Sequence, residues 1–449
     1  MRKLKDIKWI VLYVLILTTT VIYSIPKGNI QATLTQSEKV TITFRHVWTQ
    51  EHDLPMMNIF QDVVHEFEAT HPNVKVNFEG LDQTNHREEK LKSEMVTGTP
   101  PDMFVLFGGA ELDPYVGSNR LLDLTDFVDE HQLDFIDLSL WTYDDRVYGL
   151  PFEGHAQPLF YNKKIFESLD ISPPNTIDQL NDAIHKLKTY GYIPFTIGNR
   201  DLWPGSVYAH YLMDRYAGPE VIEAIAQGKA SFVNKDYLKA FNQLQEWSTE
   251  NAFNDNFARI LSVNAIHLFN AGQAAMYLNG NWDITLFQST DGKTDFQEQI
   301  GVIPFPTLDE DDESSVVGGY TIGIGLSANL TGLQKAAALE LMQAFYTEEV
   351  QQRIVYEAAR LPSMNISYDV SKTGPVFEQV VKLLEESDRL FLAYDNVLSP
   401  EVRKAFWTIS DQLIKLEITS EEALLQLDDA SKAYFKLINH NGGDSDGGK

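Results

Sequence analysis

Between residues 39 and 107 the chain alternates short apolar strands with helical segments, and this alternation limits the fold more than any other feature. Val40, Ile42 and Phe44 alternate with polar residues, as strand residues do when one face is buried. A helical pattern, a second strand and a second helix follow, and the unit closes with the continuous apolar run 103–107. A β-α-β-α-β order predicts a mostly parallel sheet covered by helices on both faces.

Ligand sites in such sheets form at the carboxyl ends of the strands, which directs attention to residues 46–53 and 107–111. The middle of the chain is more helical, and the carboxyl end is predicted to be helical up to His440. The predicted helices cover 177–190, 207–216, 236–250, 262–275 and 333–346. The predicted later strands cover 274–278, 300–304 and 320–326.

The amino terminus carries the pattern of an export signal. Basic residues within the first eight positions precede the uncharged, mostly apolar run Trp9–Ile25. This run is intermediate in length between a signal-peptide core and a membrane-spanning helix, so it predicts either a signal peptide or a membrane anchor. Residues 30–32 form a fair cleavage site, and a polar linker extends to residue 38. The rest of the chain is therefore expected to act outside the cytoplasm.

The charge and the absence of cysteine exclude several classes of protein. With 36 basic and 64 acidic side chains the formal net charge is −28, so we expect no nucleic-acid partner. The chain has no cysteine, which excludes disulfides, zinc–cysteine sites, thiol nucleophiles and a lipid-modified cysteine. A length of 449 residues predicts two or three structural units.

Motifs of catalysis and metal binding are missing from the sequence. His65-Glu66 lacks the second histidine of a metalloprotease helix, and there is no nucleophile elbow or P-loop. Gly323-x-Gly325 lies in a strand-like run that opens no helix, and the acidic loop 308–315 lacks the glycine of a calcium loop. We therefore predict no catalytic residue, no metal and no cofactor, although a glycosidase pair of carboxylates stays open.

Aromatic residues near predicted strand ends and in loops give the positive signal. Trp48 follows the first strand, Trp203 and Trp282 lie in polar or glycine-containing loops, and Tyr320 follows two glycines. Aromatic rings stack on the apolar faces of sugars, and planar polar groups bond their hydroxyls. Each tryptophan alone is also compatible with core packing. Together they favour a carbohydrate cleft assembled from distant segments.

Five ordered segments carry a resemblance to a known family. They are the strand to Trp48 with 67–79, then 98–125, 147–180, 269–284, and 301–306 with 318–329 and 359–365. Their motifs include Pro-Pro-Asp before a strand, Tyr-Gly-Leu-Pro, Tyr-Asn-Lys and Gly-Asn-Trp. In these segments the chain resembles the extracellular solute-binding proteins of bacterial ABC importers, in the sugar-binding group that includes maltose-binding protein.

The resemblance implies an α/β fold of two lobes of the periplasmic-binding-protein type, joined by hinge strands around a central ligand cleft. Its implied segments are 1–38 (signal peptide or anchor plus linker), 40–151 with 318–360 (lobe one), 152–317 with 361–440 (lobe two), and 441–449 (disordered tail).

The resemblance also implies a set of ligand-binding residues by position. They are Trp48, Gln50, Phe107, Gly108, Glu153, His155, Tyr161, Trp203, Asn281, Trp282, Gly319, Tyr320 and Arg360. Three of them have an alternative role. His155 could be a loop histidine bonded to the backbone, Tyr161 could pack in the core, and Arg360 could form a structural ion pair.

The resemblance implies that the protein captures a carbohydrate, which we interpret as an oligosaccharide, and delivers it to the permease subunits of an ABC importer. It also implies that the protein is monomeric and is not an enzyme. Two alternatives stay open: an extracellular carbohydrate-active enzyme, and a ligand-binding partner of a membrane sensor. Because a lipid-bearing cysteine is missing, the protein is expected either to be free in a periplasm or to be held by an uncleaved Trp9–Ile25 helix.

Overall fold

The computed structural model describes residues 38–288 and 294–443 as a mixed α/β protein. The strands are Val40–His46, Val74–Gly80, Met103–Phe107, Thr142–Tyr143, Arg146–Val147, Leu150–Pro151, Glu153–Ala156, Leu159–Asn162, Ile193–Thr196, Ala274–Leu278, Ile300–Ile303, Ser315–Gly319, Ile322–Leu326, Leu361–Pro362 and Arg389–Phe391. The longer helices are Leu54–Thr70, Ile177–Thr189, Trp203–Ala217, Pro219–Ala226, Lys235–Thr249, Ser262–Asn270, Gly332–Phe345, Glu348–Ala358, Pro375–Glu386, Pro400–Ile414 and Ser420–Gly443.

Shorter helices connect these elements. The short α-helices are Gln83–Asn85, Leu91–Thr97, Asp113–Gly117, Thr125–His131, Lys163–Ser168 and Tyr394–Val397. Short segments of tighter or wider helix are Glu51–Asp53, His86–Lys90, Gly109–Glu111, Ser139–Trp141, Phe257–Arg259, Asn281–Leu286, Thr294–Gln299 and Val370–Lys372. None of the helices within the described residues is long and apolar enough to span a membrane. The predicted signal or anchor lies outside the described residues.

The first sheet has five strands in the spatial order Val74–Gly80, Val40–His46, Met103–Phe107, Ile322–Leu326 and Leu150–Pro151. The first three strands are parallel, as the alternating pattern predicts. The last two pairings are antiparallel. The sheet is therefore mostly parallel, as the sequence predicts, because only Ile322–Leu326 runs opposite to the other four strands.

Burial explains why these segments form strands. Val40, Ile42 and Phe44 point into the core, while Thr41 is exposed and Thr43 half-buried. Arg45 departs from this alternation, because it is buried in ion pairs with Glu79 and Glu94. Every residue of Met103–Phe107 is buried, as expected for a central strand covered on both faces. The helix Leu54–Thr70 packs its Met56, Ile59, Phe60 and Val64 side against this sheet, and the apolar helical spacing predicts that face.

The second sheet has four strands in the order Ile300–Ile303, Leu159–Asn162, Ala274–Leu278 and Ile193–Thr196. Ala274–Leu278 is buried along its whole length, pairing antiparallel with one neighbour and parallel with the other. A separate core of aromatic and aliphatic side chains covers this sheet, so the chain contains two α/β units with their own hydrophobic cores.

A third sheet of four short strands lies where the chain passes between these two units. Its order is Leu361–Pro362, Glu153–Ala156, Ser315–Gly319 and Arg389–Phe391. Glu153–Ala156 directly follows the last strand of the first sheet and precedes Leu159–Asn162 of the second. Gly318 lies in the third sheet just before the chain returns to the first. The glycine-punctuated crossovers that the sequence predicts thus fall at this sheet, while the exact lobe boundaries stay a prediction.

Three helices differ from the sequence-based expectation by more than one residue at a boundary. The helix Trp203–Ala217 begins four residues before the predicted start at 207, because Pro204 suits the first turn of a helix. Ser262–Asn270 ends at 270, not 275, since Gly272 adopts a positive φ of 64° before the next strand. The last helix, Ser420–Gly443, runs past residue 440 into the segment predicted as a tail.

Candidate ligand-binding cleft

A cleft with about 780 Å³ of empty space, partly open to solvent, lies where the first, second and third sheets meet. The carboxyl ends of Val40–His46 and Met103–Phe107 contribute residues to its wall, as the strand-end rule predicts. The third sheet and the helix starting at Trp203 supply further walls.

The predicted residues divide into two groups in the structure. Lining the cleft are Trp48, Phe107, Glu153, His155, Trp203, Trp282 and Arg360. Outside the lining are Gln50, Gly108, Tyr161, Asn281, Gly319 and Tyr320, of which Gly319 and Tyr320 line a neighbouring groove at the third sheet.

Trp203 and Trp282 form the half-buried aromatic part of the cleft. Their rings meet edge to face with centroids 6.0 Å apart, a favourable aromatic geometry. His155 meets Trp282 in the same manner at 5.4 Å. Gly280 allows this placement, since a Cβ atom there would lie 2.2 Å from the Trp282 ring. These rings offer apolar faces to a ligand from the second unit.

Trp48 and Phe107 are more deeply set. Trp48 is only 3% exposed and packs on Phe60 and Phe152, with centroids 4.4 and 5.3 Å apart. Phe107 lies under the guanidinium of Arg87, whose Cζ atom is 3.8 Å from the ring centroid, a cation–π distance. Both rings therefore border the cleft as parts of packed clusters.

An ion-pair network built on Arg360 occupies the floor of the cleft. Its Nε atom lies 3.3 Å from Glu153 Oε2, and its Nη2 atom lies 3.4 Å from Asp53 Oδ1. Burial raises the pKa of Glu153 to about 7, although Arg360 works against this shift. Arg360 therefore forms the structural ion pair that the sequence left as an alternative, and it also lines the cleft.

His52 extends this network across the two units. Its Nε2 atom lies 3.4 Å from Asp53 Oδ1, and its Nδ1 atom lies 3.0 Å from Oδ1 of the fully buried Asp283 in the second unit. Burial alone would lower the pKa of His52, but the two carboxylates outweigh burial and raise the pKa. Tyr277 donates a 2.6 Å hydrogen bond to Asp283, which holds that carboxylate in place.

The pKa of His155 shifts in the opposite direction to that of His52. Burial, with a smaller contribution from Arg360, lowers the pKa of His155 to about 4. The imidazole is therefore neutral at neutral pH and serves as an uncharged polar and aromatic wall.

The opposite wall holds a second charged cluster, centred on Glu111. Arg87 Nε and Arg403 Nη1 donate to Glu111 Oε2 at 2.6 and 2.7 Å, and Arg403 Nη2 donates to Glu88 Oε1 at 2.6 Å. Burial alone would raise the pKa of Glu111, and the two guanidinium groups outweigh burial and lower the pKa. Since Arg403 belongs to the helix Pro400–Ile414, this cluster also connects the two units.

Local packing explains the placement of Tyr161, Asn281 and Gly108 outside the lining. Tyr161 packs against Phe166 at 4.8 Å. Asn281 is fully buried, accepts from the Ala156 backbone N–H and donates to the Ala359 carbonyl. Gly108 permits close packing, because a Cβ atom there would lie 2.9 Å from Leu140.

Several lining residues were not among the predicted site residues. They include His52, Asp53, Arg87, Gln157, Asp395, Asn396 and Trp407. His52 and Asp53 had a detectable signal, since they lie in the strand-end segment 46–53. Gln157 lies two residues after the predicted His155, and the other four lie on helices remote from the predicted strand ends. No group of three or more potential ligand side chains positioned to hold a metal occurs in residues 38–288 and 294–443.

Residues 54–352 match the protein family described as bacterial extracellular solute-binding protein. An uncharacterized ABC transporter extracellular-binding protein of Pyrococcus horikoshii is 28% identical over 272 residues, which cover 58% of this chain and 59% of that protein. The alignment therefore spans less than two thirds of that relative. The melibiose/raffinose/stachyose-binding protein MelE of Bacillus subtilis is 23% identical over 388 residues, which cover 82% of this chain and 85% of MelE.

The structure is also similar to a chitin oligosaccharide binding protein, with a TM-score of 0.84 and 28% identity. The similarity covers 88% of this chain and 98% of that structure. It confirms the predicted two-lobed α/β fold.

Proposed function

The chain belongs to the bacterial extracellular solute-binding protein family, as its five ordered segments predict, and on this premise we propose that it captures an oligosaccharide between two lobes. The family places the protein outside the cytoplasm. In the proposed function the loaded protein delivers the sugar, as a monomer and without chemical conversion, to the permease subunits of an ABC importer. Trp9–Ile25 would direct the export or hold the protein at the membrane.

The paired rings of Trp203 and Trp282 carry this proposal. They are half-buried in a cleft whose other walls present carboxylates, guanidinium groups and a neutral histidine. Rings that stack on a pyranose, together with polar groups that bond its hydroxyls, are the requirements of sugar recognition. The relatives named for melibiose, raffinose and stachyose and for chitin oligosaccharide support a carbohydrate ligand.

We assign lobe one to residues 40–151 and 318–360, and lobe two to 152–317 and 361–440. The third sheet would then be the hinge, and the lobes would close around the sugar. Two contacts support this mode, because His52 reaches Asp283 and Arg403 reaches Glu111 from opposite lobes. Ligand binding would shift the equilibrium between open and closed forms by its differential affinity for the closed form.

A thermal-shift screen against mono- to hexasaccharides tests the proposed function. A sugar present at 100 times its dissociation constant stabilises the folded protein by about 2.7 kcal/mol, which raises the midpoint of thermal unfolding. We expect at least one oligosaccharide to raise the midpoint and to be recovered unchanged. A flat response across the panel contradicts sugar binding, while release of shorter products supports the enzyme alternative.

Trp203→Ala and Trp282→Ala are each expected to weaken sugar binding by about 1 kcal/mol or more, the value of a good aromatic contact. Isothermal titration calorimetry measures the change. Tyr190→Ala is the matched control, because Tyr190 is an exposed aromatic residue outside the cleft lining. This variant should bind the sugar with the affinity of the wild-type protein. Unchanged affinity in both tryptophan variants would remove these rings from the site.

Trp48→Ala is a poor probe of the same question. Its buried ring packs with Phe60 and Phe152, so we expect the truncation to lower the free energy of unfolding by about 3–5 kcal/mol. Chemical denaturation of the variant measures this loss, and a loss below 1 kcal/mol would contradict the core role of Trp48.

A further inference from the structure

One wall of the cleft carries buried hydrogen-bond donors that have no acceptor. Arg87, Asn396 and Trp407 are 5%, 6% and 7% exposed and all line the cleft. Arg87 Nη2, Asn396 Nδ2 and Trp407 Nε1 find no hydrogen-bond partner among residues 38–288 and 294–443. All three groups can only donate. A buried donor left unpaired is costly, so this wall is suited to a ligand that brings acceptors.

Arg87 and Trp407 belong to one cluster, and Asn396 adjoins it in the same lining. The Arg87 guanidinium lies over Phe107, and its Cζ atom is 5.8 Å from the centroid of the Trp407 ring. Its Nη1 atom lies 3.8 Å from Asp395 Oδ2, and Asp395 immediately precedes Asn396. Arg87 is held in place by its 2.6 Å bond to Glu111. The Arg87 donor is thus held beside Phe107 and the Asp395 carboxylate.

A sugar hydroxyl is an incomplete match for such a wall. It can accept from a donor, but it also brings a hydrogen that needs its own acceptor. A carbonyl oxygen accepts two hydrogen bonds and brings no hydrogen. An acetamido group adds one N–H, for which the Asp395 carboxylate and the unpartnered Gln157 Oε1 are acceptors along the lining, and a methyl group, for which Phe107 and Ala393 are apolar neighbours.

A carboxylate also offers only acceptors, but the charge balance of the cluster favours a neutral acetamido group over it. The cluster combines the guanidinium groups of Arg87 and Arg403 with the carboxylates of Glu88, Glu111 and Asp395. Burial raises the pKa of Asp395, but even with Asp395 protonated the cluster has no excess positive charge. An added carboxylate would therefore be buried without a free cation, which is unfavourable.

We propose that Arg87, Asn396 and Trp407 form a subsite for the acetamido group of an N-acetylated sugar. The proposal rests on the proposed sugar-binding function and specifies the class of sugar. It makes these three residues determinants of specificity, while Trp203 and Trp282 contact sugar rings of any type.

Calorimetry with matched pairs of sugars tests the subsite. The β-1,4-linked trimers of N-acetylglucosamine and of glucose differ only at C2, and monomers of N-acetylglucosamine, N-acetylgalactosamine, glucose and galactose extend the comparison. A galacturonate trimer tests whether the subsite prefers a carboxylate. We expect an N-acetylated sugar to bind about tenfold or more tighter than its hydroxyl counterpart, the scale of satisfying a buried donor. Equal affinity within the pairs, or preference for a hydroxyl sugar or the uronate, overturns the subsite.

Absence of binding by every N-acetylated sugar, with binding of another oligosaccharide, also overturns the subsite but leaves the proposed function intact. Absence of binding by every sugar contradicts both.

Two variants assign the preference to these side chains. Trp407→Phe keeps an aromatic ring and removes its N–H, and Asn396→Asp keeps the size while replacing the donor by an acceptor. Each should lower the affinity for the acetamido sugar by about tenfold and reduce its advantage over the hydroxyl sugar. Trp203→Phe is the control, because it should change both members of a pair alike. A preserved advantage in both subsite variants, with unchanged thermal midpoints, contradicts the assignment.

Discussion

Replacing Arg360 by methionine is expected to lower the free energy of unfolding by about 3–5 kcal/mol, the cost of removing one partner from a buried ion pair. Arg360 is 2% exposed and lies within 3.4 Å of both Asp53 and Glu153. Without its guanidinium, the buried Glu153 must be protonated or must ionise without that cation. Denaturant unfolding at pH 7.5 measures the loss, and the same variant should lose sugar affinity because the cleft floor is disrupted.

A double-mutant cycle with Glu153→Gln separates this mechanism from lost packing. Glutamine keeps the size of the side chain and removes its charge, so the double variant should lose less stability than the two single losses added together. We expect a coupling free energy of about 1 kcal/mol or more for residues in direct contact. Additive losses would show that Arg360 stabilises the fold through packing alone.

Acidification from pH 7.5 to 5 is expected to destabilise the protein through buried histidines. Burial lowers the pKa of His155 to about 4 and that of His210 to about 3. Their stabilising contribution is complete above the unfolded-state pKa and is lost as the pH falls below it, since only the unfolded chain then takes up protons. At pH 5 each histidine costs about 2 kcal/mol.

Glu153 acts with the opposite sign. Because its pKa is raised to about 7, its protonation stabilises the folded state as the pH falls, and it offsets about 2 kcal/mol of the loss at pH 5. The net loss of stability between pH 7.5 and 5 is therefore smaller than the sum of the two histidine contributions. A variant at one of the histidines isolates its contribution.

His210→Phe should weaken the pH dependence by about 2 kcal/mol between pH 7.5 and 5. His210 is 1% exposed among Tyr211, Phe391 and Tyr394, and neither ring nitrogen has a hydrogen-bond partner within the described part of the chain. His185→Phe is the control for replacing a histidine by phenylalanine at an exposed position. If stability depends equally on pH in the wild type and both variants, burial of His210 is not a source of the pH dependence.

The sequence predicts those parts of the fold that have strong local periodicity. Val40–His46, Met103–Phe107 and Ala274–Leu278 were identifiable because their buried faces alternate or are continuous. Strands of the third sheet such as Arg389–Phe391 are short and depend on partners far away in the chain, so they have no local pattern. The resemblance supplied the crossovers that periodicity alone would miss.

The side chains of the cleft can likewise be predicted only where the sequence carries a local signal. Trp203, Trp282 and Arg360 are predicted from their positions in the family resemblance, and the structure brings them to one cleft. Arg87, Asn396 and Trp407 reach it only because the helices that carry or adjoin them pack across the two units. Conversely, the motif residues Tyr161 and Asn281 serve packing and backbone bonding in the second unit, which their motifs do not reveal.

Calorimetric titration with the oligosaccharide that gives the largest thermal shift tests the central claim most directly. We predict saturable binding of one sugar per chain, a negative heat-capacity change from burial of the ligand, and loss of binding in the Trp203→Ala/Trp282→Ala double variant. Wild-type affinity in that variant, or the absence of binding heat with every mono- to hexasaccharide, would contradict capture of a sugar in this cleft.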